Sequence, residues 1–170
     1  MKLRDLLSGV PLTGTAADLE MEISSISEDT RTLRPGALFA ALTGEKTDGH
    51  QYIRQAVELG AAAVLCRVPP PEPGPWLTAE DTRLAYALIC ANWFGRPGDS
   101  MTLAAVTGTN GKTTTTQLLK ELLEGVLGTK VGLIGTNRNL IGGEELPAHR
   151  TTPGSYELQA LLRRMADAGC

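Results

Sequence analysis

Ten consecutive residues, V106-T-G-T-N-G-K-T-T-T115, carry the clearest chemistry in this chain. Gly108 and Gly111 let the backbone turn tightly and approach a phosphate. Lys112 brings a positive point charge, and Thr113 a hydroxyl suited to a magnesium ion. The amides at the start of the following helix face the same way and favour negative charge. Residues Gly108, Thr109, Asn110, Gly111, Lys112, Thr113 and Thr114 therefore form a candidate cradle for the β- and γ-phosphates of ATP. Lys112 and Thr113 are its candidate catalytic groups and Thr113 its candidate metal ligand. The glycine spacing departs from G-x-x-x-x-G-K-[ST], because Val106 stands five positions before Gly111. The four threonines from Thr113 to Thr116 are poor helix formers, an odd choice for a merely structural helix start.

Other polar groups are less specific. Glu28, Asp29, Thr30 and Arg31 make a dense polar turn, on physical grounds a turn as readily as a site. His50 at a helix start reads as a local cap or surface residue. His149 lies beside Arg150, Thr151 and Thr152 in a loop. Histidines and carboxylates do not cluster at ligand spacing, which argues against a protein-held zinc site.

The phosphate loop needs a strand before it and a helix after it. L103-A-A-V106 reads as that strand and 117–127 as that helix, with Leu118, Leu119, Leu122 and Leu123 inward and Gly128 as its stop. V131-G-L-I134 is the next strand. G135-T-N-R-N139 leaves its carboxyl end, where ligands of such sheets collect, so it should face the phosphate loop. Residues 140–150 look irregular around a Gly142-Gly143 turn. Ser155 to Ala168 is a helix with Leu158, Leu161, Leu162 and Met165 as its stripe and Gly169 at its end.

Upstream, residues 2–8 suggest a short helix, 20–27 and 37–42 strands, and T43-G-E-K-T-D-G49 a polar loop. A helix from His50 ends at Gly60, and A61-A-A-V-L-C66 is a buried strand. This strand, helix, strand order favours a small α/β domain. After the breaker-rich Pro69-Pro-Pro-Glu-Pro-Gly-Pro75, Trp76-Leu77 is a possible strand. Thr78 with Asp81 resembles a capping box ahead of a helix stopped by G95-R-P-G98. The domain boundary is expected near 95–100, giving units 1–98 and 99–170. Only two strands are convincing after residue 100. The second unit is thus expected to be unfinished at Cys170, with exposed helix faces and weak protection.

The bulk properties fit that reading. A length of 170 residues allows one domain or two small ones, and a net charge of −3 without a basic stripe gives no sign of a nucleic-acid surface. Cys66, Cys90 and Cys170 lack metal spacing, and the first two read as small buried hydrophobes in a reducing compartment. No run reaches membrane-spanning length, and Lys2, Arg4 and Asp5 interrupt any leader. A cytoplasmic protein is the expectation.

The motifs together resemble the Mur ligases of bacterial cell-wall synthesis, over essentially the whole chain. T107-G-T-N-G-K-T-T-T115 looks like that family's ATP loop. S25-I-S-E-D-T-R31, Pro35-Gly-Ala-Leu-Phe39, D48-G-H50 and G60-A-A62 look like its uridine-nucleotide-binding domain. G135-T-N-R-N139 followed by Arg150-Thr-Thr-Pro153 is similar to the members that add the third amino acid to UDP-N-acetylmuramoyl-L-alanyl-D-glutamate. The resemblance implies a small α/β domain, then the first part of a phosphate-loop α/β domain with a mostly parallel sheet. It also implies ATP and Mg²⁺ as cofactors and an acyl-phosphate route to an amide. Glu28 and Thr30 match positions that hold the uridine nucleotide, and Glu45, Lys46 and Thr47 match a second contact loop. Thr151 and Thr152 match a pair on the muramoyl peptide, with Arg150 beside them. The partners implied are the UDP-muramoyl dipeptide and an amino acid, meso-diaminopimelate or lysine, in a monomeric protein. The carbamylated lysine and the amino-acid-binding domain of the family would lie beyond Cys170, so these residues alone would not catalyse. A ligase adding D-Ala-D-Ala, a folylpolyglutamate synthetase and a non-catalytic UDP-sugar module are the alternatives.

Overall fold

The computed structural model describes residues 1–44, 47–148 and 150–170. They form two compact units, Met1–Trp93 and Phe94–Cys170.

The first unit is built on short, continuous apolar runs. Its elements are α1 (Leu3–Leu6), β1 (Gly14–Thr15), β2 (Ser25–Ser27), β3 (Ala37–Ala40), α2 (Ile53–Glu58), β4 (Ala63–Cys66), β5 (Trp76–Thr78) and α3 (Thr82–Trp93). The sheet order is β1-β5-β4-β3-β2, parallel throughout except where β1 meets β5. Central strands of such a sheet are covered on both faces, which is why β3 and β4 are apolar at every position. Leu38, Ala40, Ala63 and Leu65 face a core made with Leu3 and Leu6 of α1 and Ala85, Tyr86 and Ile89 of α3. Phe39, Ala41, Val64 and Cys66 face the other way, against Ile53 and Ala56 of α2. Each large apolar side chain removed from water here stabilises by roughly 1.5–3 kcal/mol. Asn92 of α3 donates to the carbonyls of Leu6 and Ser8, tying the two helices of that layer. Gly60 ends the α2 segment with φ +88°, which an L side chain rarely adopts.

Local chemistry moves one boundary. Asp81, not Thr78, caps α3, its carboxylate accepting from the amide of Leu84 at 2.9 Å. Thr78 is instead in β5, paired with Cys66. Cys66 and Cys90 are fully buried, and burial pushes their thiols up to about 11 and about 12. Both therefore stay protonated and unreactive near neutrality.

The second unit contains α4 (Lys112–Leu127), β6 (Gly132–Ile134), β7 (Arg138–Ile141), β8 (Glu144–Pro147) and α5 (Ser155–Asp167). The chain is mixed α/β and its parallel ladder is the five-stranded sheet. The three strands of the second unit pair antiparallel in the order β6-β7-β8. Four expectations are corrected here. Residues 103–106 form no strand, because no described strand lies alongside to complete their ladder. The segment expected to be irregular is largely a hairpin, with Gly142 at φ +57° in the two-residue turn between β7 and β8. Leu118 and Leu122 are each 60% exposed, Leu118 at the edge of a smaller cleft, while Leu119 and Leu123 line a larger one. The α5 stripe does pack: Leu162 and Met165 join Ile141, with Leu158 beside them, so this helix face is covered rather than exposed.

Stability should be uneven in consequence. Backbone amide exchange is expected to be slowest in β3, β4 and α3, intermediate in the hairpin and α5, and fast at 103–106. Uniform protection across both units would contradict this distribution of packing.

Candidate functional site

The turn into α4 positions the phosphate-loop residues. Gly108 has φ +147° and Gly111, immediately before the helix, φ +79°, both in the region that favours glycine. A side chain at Gly108 would meet nothing closer than the Asn110 carbonyl at 3.6 Å, so the loop face is open and only backbone strain excludes it. The first intrahelical bond runs from the Thr115 amide to the Gly111 carbonyl at 2.8 Å. The amides of Lys112, Thr113 and Thr114 thus precede the ladder and have no intrahelical acceptor. Lys112 curls back, its ammonium donating to the Gly108 carbonyl at 2.5 Å. Thr116 donates its hydroxyl to the carbonyls of Lys112 and Thr113. Thr113 makes no such contact and stays exposed.

Two clefts adjoin this turn. The larger, about 710 Å³, is walled by Gly108, Lys112 and Thr113, by Gly135 and Thr136, and by Thr151, Thr152 and Pro153. The smaller, about 580 Å³, shares Thr113, Gly135 and Thr136 and extends to Arg138 and Glu145, which form an ion pair at 2.9 Å. The loop after β6 therefore does meet the phosphate loop. Thr151 and Thr152 join it on one wall, and Arg150 lies exposed beside them.

The remaining sequence-predicted residues belong to the first unit. Glu28, Thr30 and Thr47 sit in loops that follow the carboxyl ends of β2 and β3. Glu45 and Lys46, and also His149, lie outside the described residues. The turn after β2 is rigidly built. Arg31 clasps Asp29 through Nε and Nη2, holding that carboxyl below its usual range. Ser27 and Thr32 donate to the Asp29 carbonyl. Glu28 is left exposed, and the Thr30 hydroxyl donates to Gln55 of α2 at 3.1 Å. His50 is more than a surface residue. Its Nδ1 lies 2.7 Å from Asp48, and its Nε2 accepts from the Arg67 amide at 2.9 Å. That acceptor role requires the proton on Nδ1, so a neutral imidazole ties the loop after β3 to the end of β4.

Two residues of the second unit were not singled out from the sequence, Asn139 being read only as the end of the G135-T-N-R-N139 loop, whereas it lies in β7. Lys120 is only 6% exposed, lines the larger cleft, and pairs with Glu124 at 2.6 Å. Glu124 also accepts from the Val131 amide at 3.1 Å, joining α4 to the approach of β6. Its signal was the K-x-x-x-E spacing on the Leu119, Leu123 side of the helix. Asn139 is 2% exposed in β7. Its signal was a polar residue two positions from Ile141, on the same face of a strand.

The Lys120 ammonium, then the Val131 amide, hold the Glu124 carboxyl below its ordinary 4.5. A depressed acid pKa stabilises the fold above the unfolded value, and the gain is lost as pH falls through the folded one. Glu124→Gln should therefore lower the melting temperature of the second unit at neutral pH. The gap to wild type should close as pH drops below about 4.5. A gap that widens on acidification would refute this coupling.

Comparison with known proteins bears on the whole chain. The Mur ligase middle domain model matches residues 106–170, and the model of the Mur ligase family catalytic domain matches residues 22–82. A Chlorobium phaeobacteroides protein named UDP-N-acetylmuramoyl-L-alanyl-D-glutamate--2,6-diaminopimelate ligase is 44% identical over 100% of this chain and 34% of its own length. A protein of the same name from Alkaliphilus metalliredigens is 40% identical over 98% of the chain and 34% of its own length. A solved structure of a ligase with that name superposes with a TM-score of 0.70 at 23% identity, covering 100% of this chain and 34% of that one. A structure of MurF from Acinetobacter baumannii gives 0.56 at 22% identity, covering 95% and 32%. These two likenesses speak to fold. The chain spans about a third of the length of the relatives it matches. With relatives aligned along its full length and two models of one family dividing it between them, the chain belongs to the Mur ligase family.

Proposed function

We propose that this chain supplies the UDP-substrate unit, residues 1–98, and the ATP-loop part of the central domain, residues 99–170, of an ATP-dependent ligase. The ligase adds meso-diaminopimelate to UDP-N-acetylmuramoyl-L-alanyl-D-glutamate in cytoplasmic peptidoglycan synthesis. The observation that carries the reading is the amide-lined turn 107–113, opening onto the same cleft as Thr151 and Thr152. The names of the relatives support the choice of substrate and amino acid.

The donor set suits ATP and Mg²⁺. Free amides and one lysine match a polyphosphate, and an exposed Thr113 hydroxyl matches a cation that takes few protein ligands and keeps water and phosphate oxygens for the rest. When bound, ATP would supply the phosphoryl group that activates the D-glutamate carboxylate as an acyl phosphate, leaving ADP, and attack by the amino group of the incoming amino acid would expel inorganic phosphate to give the amide. The chain's own residues do the positioning. The amides from Gly108 to Thr114 would hold the phosphates at the helix start, where the dipole favours negative charge. Lys112, which here bonds to the Gly108 carbonyl, would pair with the terminal phosphate oxygens and offset their charge. Thr113 would offer its hydroxyl to the metal. Thr151 and Thr152, with Arg150 alongside, bind the muramoyl peptide, while Glu28, Thr30 and the 45–47 segment hold the uridine nucleotide. The ligase activity is that of a monomeric protein of the relatives' full length, with the amino-acid site outside these 170 residues.

In the full-length protein, Lys112→Ala should reduce acyl-phosphate formation by at least about 10²-fold, the scale of losing one key electrostatic group. Binding of the UDP-muramoyl dipeptide, measured by calorimetry, should be nearly unaffected. Unchanged turnover in that variant would refute the role of Lys112.

A further inference from the structure

Two segments wall the larger cleft, and one buried side chain bonds to the start of one and to the end of the strand that leads to the other. The Asn139 carboxamide accepts from the Gly135 amide at 3.3 Å through Oδ1, and donates to the Pro147 carbonyl at 3.2 Å through Nδ2. The partners fix its orientation, since a flipped amide would set like against like at both ends. Gly135 begins the loop that faces Thr113, and Pro147 ends β8, from which the chain runs on to Thr151 and Thr152. Strand pairing does not need this amide: β7 is bonded through its backbone to β6 and β8, with Asn139 opposite Ile134 and Leu146. The next two positions of β7 are Leu140 and Ile141, both buried. A carboxamide in this setting costs desolvation that only its two bonds offset, and an apolar residue would avoid that cost.

We propose that Asn139 is a positioning residue that sets the spacing between the loop at Gly135 and the segment carrying Thr151 and Thr152. The phosphate loop and the peptide-binding pair then face one another at a fixed distance. The proposal rests on the function proposed above. Misplacement by about 1 Å can cost 10²-fold in rate, so a tie of this kind has a kinetic consequence.

The test compares Asn139→Ala, Asn139→Asp and Leu140→Ala in the full-length protein. Asn139→Ala should speed amide exchange at Gly135–Arg138 and lower kcat by about 10²-fold. Asn139→Asp keeps the acceptor for Gly135 but loses the donor to Pro147. It should leave exchange at Gly135 near wild type and raise KM for the UDP-muramoyl dipeptide more than KM for ATP. Leu140→Ala is a packing control: it should lower the melting temperature while keeping kcat and both KM values near wild type. Asn139→Ala retaining wild-type exchange and kcat, or Leu140→Ala reproducing its kinetic losses at equal stability, would overturn the proposal. Wild-type protein that makes no amide product, with the exchange difference intact, would instead overturn the functional reading and the kinetic role with it, leaving only a structural tie.

Discussion

The left-handed backbone at Gly111 is the constraint on which the second unit depends. It turns the chain so that α4 begins with its amides facing the cleft and Lys112 at its first position. Any L side chain there would be strained, and a relaxed turn would aim the helix start elsewhere. The remaining features answer that geometry. Lys120 and Glu124 anchor α4 to the approach of β6, and β6 delivers Gly135 and Thr136 opposite the turn. The hairpin then returns the chain to the cleft wall at Thr151 and Thr152.

The two units meet different demands with different means. In the first, two apolar layers hold a parallel sheet, and its carboxyl edge carries polar turns stiffened by Asp29 with Arg31 and Asp48 with His50. Those contacts are largely solvent-exposed, so they fix loop shape more than they stabilise the fold. In the second, the apolar cluster is small, built on Ile141, Leu162 and Met165. Order near the cleft depends more on buried polar groups, whose bonds are directional. A net charge of −3 is no obstacle to the proposed phosphate site, which would rely on local amides and one lysine and not on a global field.

Elements with strong period and clear stops were legible in the sequence. The apolar runs at 37–42 and 61–66, the Gly60 stop and the α5 stripe all reflect local patterns that packing then satisfies. Elements that depend on partners were not. Residues 103–106 have strand composition, yet a strand exists only when another pairs with it. Leu118 and Leu122 fit a helical period but lie on the face that nothing described covers. The hairpin was hidden because β8 reads Glu144-Glu-Leu-Pro147, polar and proline-terminated, although Gly142-Gly143 is a good two-residue turn. At the candidate site, the glycine turn ahead of a helix was legible because its residues are contiguous. Asn139 was not, because its role comes from two partners, one four and one eight residues away, brought together only by the hairpin.

The most direct test of the central claim, that the turn at 107–113 is a polyphosphate site, is a competition series on the full-length protein with ATP, ADP, AMP and inorganic tripolyphosphate. Amide exchange would be followed across residues 107–114. Affinity should fall steeply from ATP to ADP to AMP, and tripolyphosphate alone should compete and protect these amides. AMP binding as tightly as ATP, or protection by ATP confined to the first unit, would contradict it.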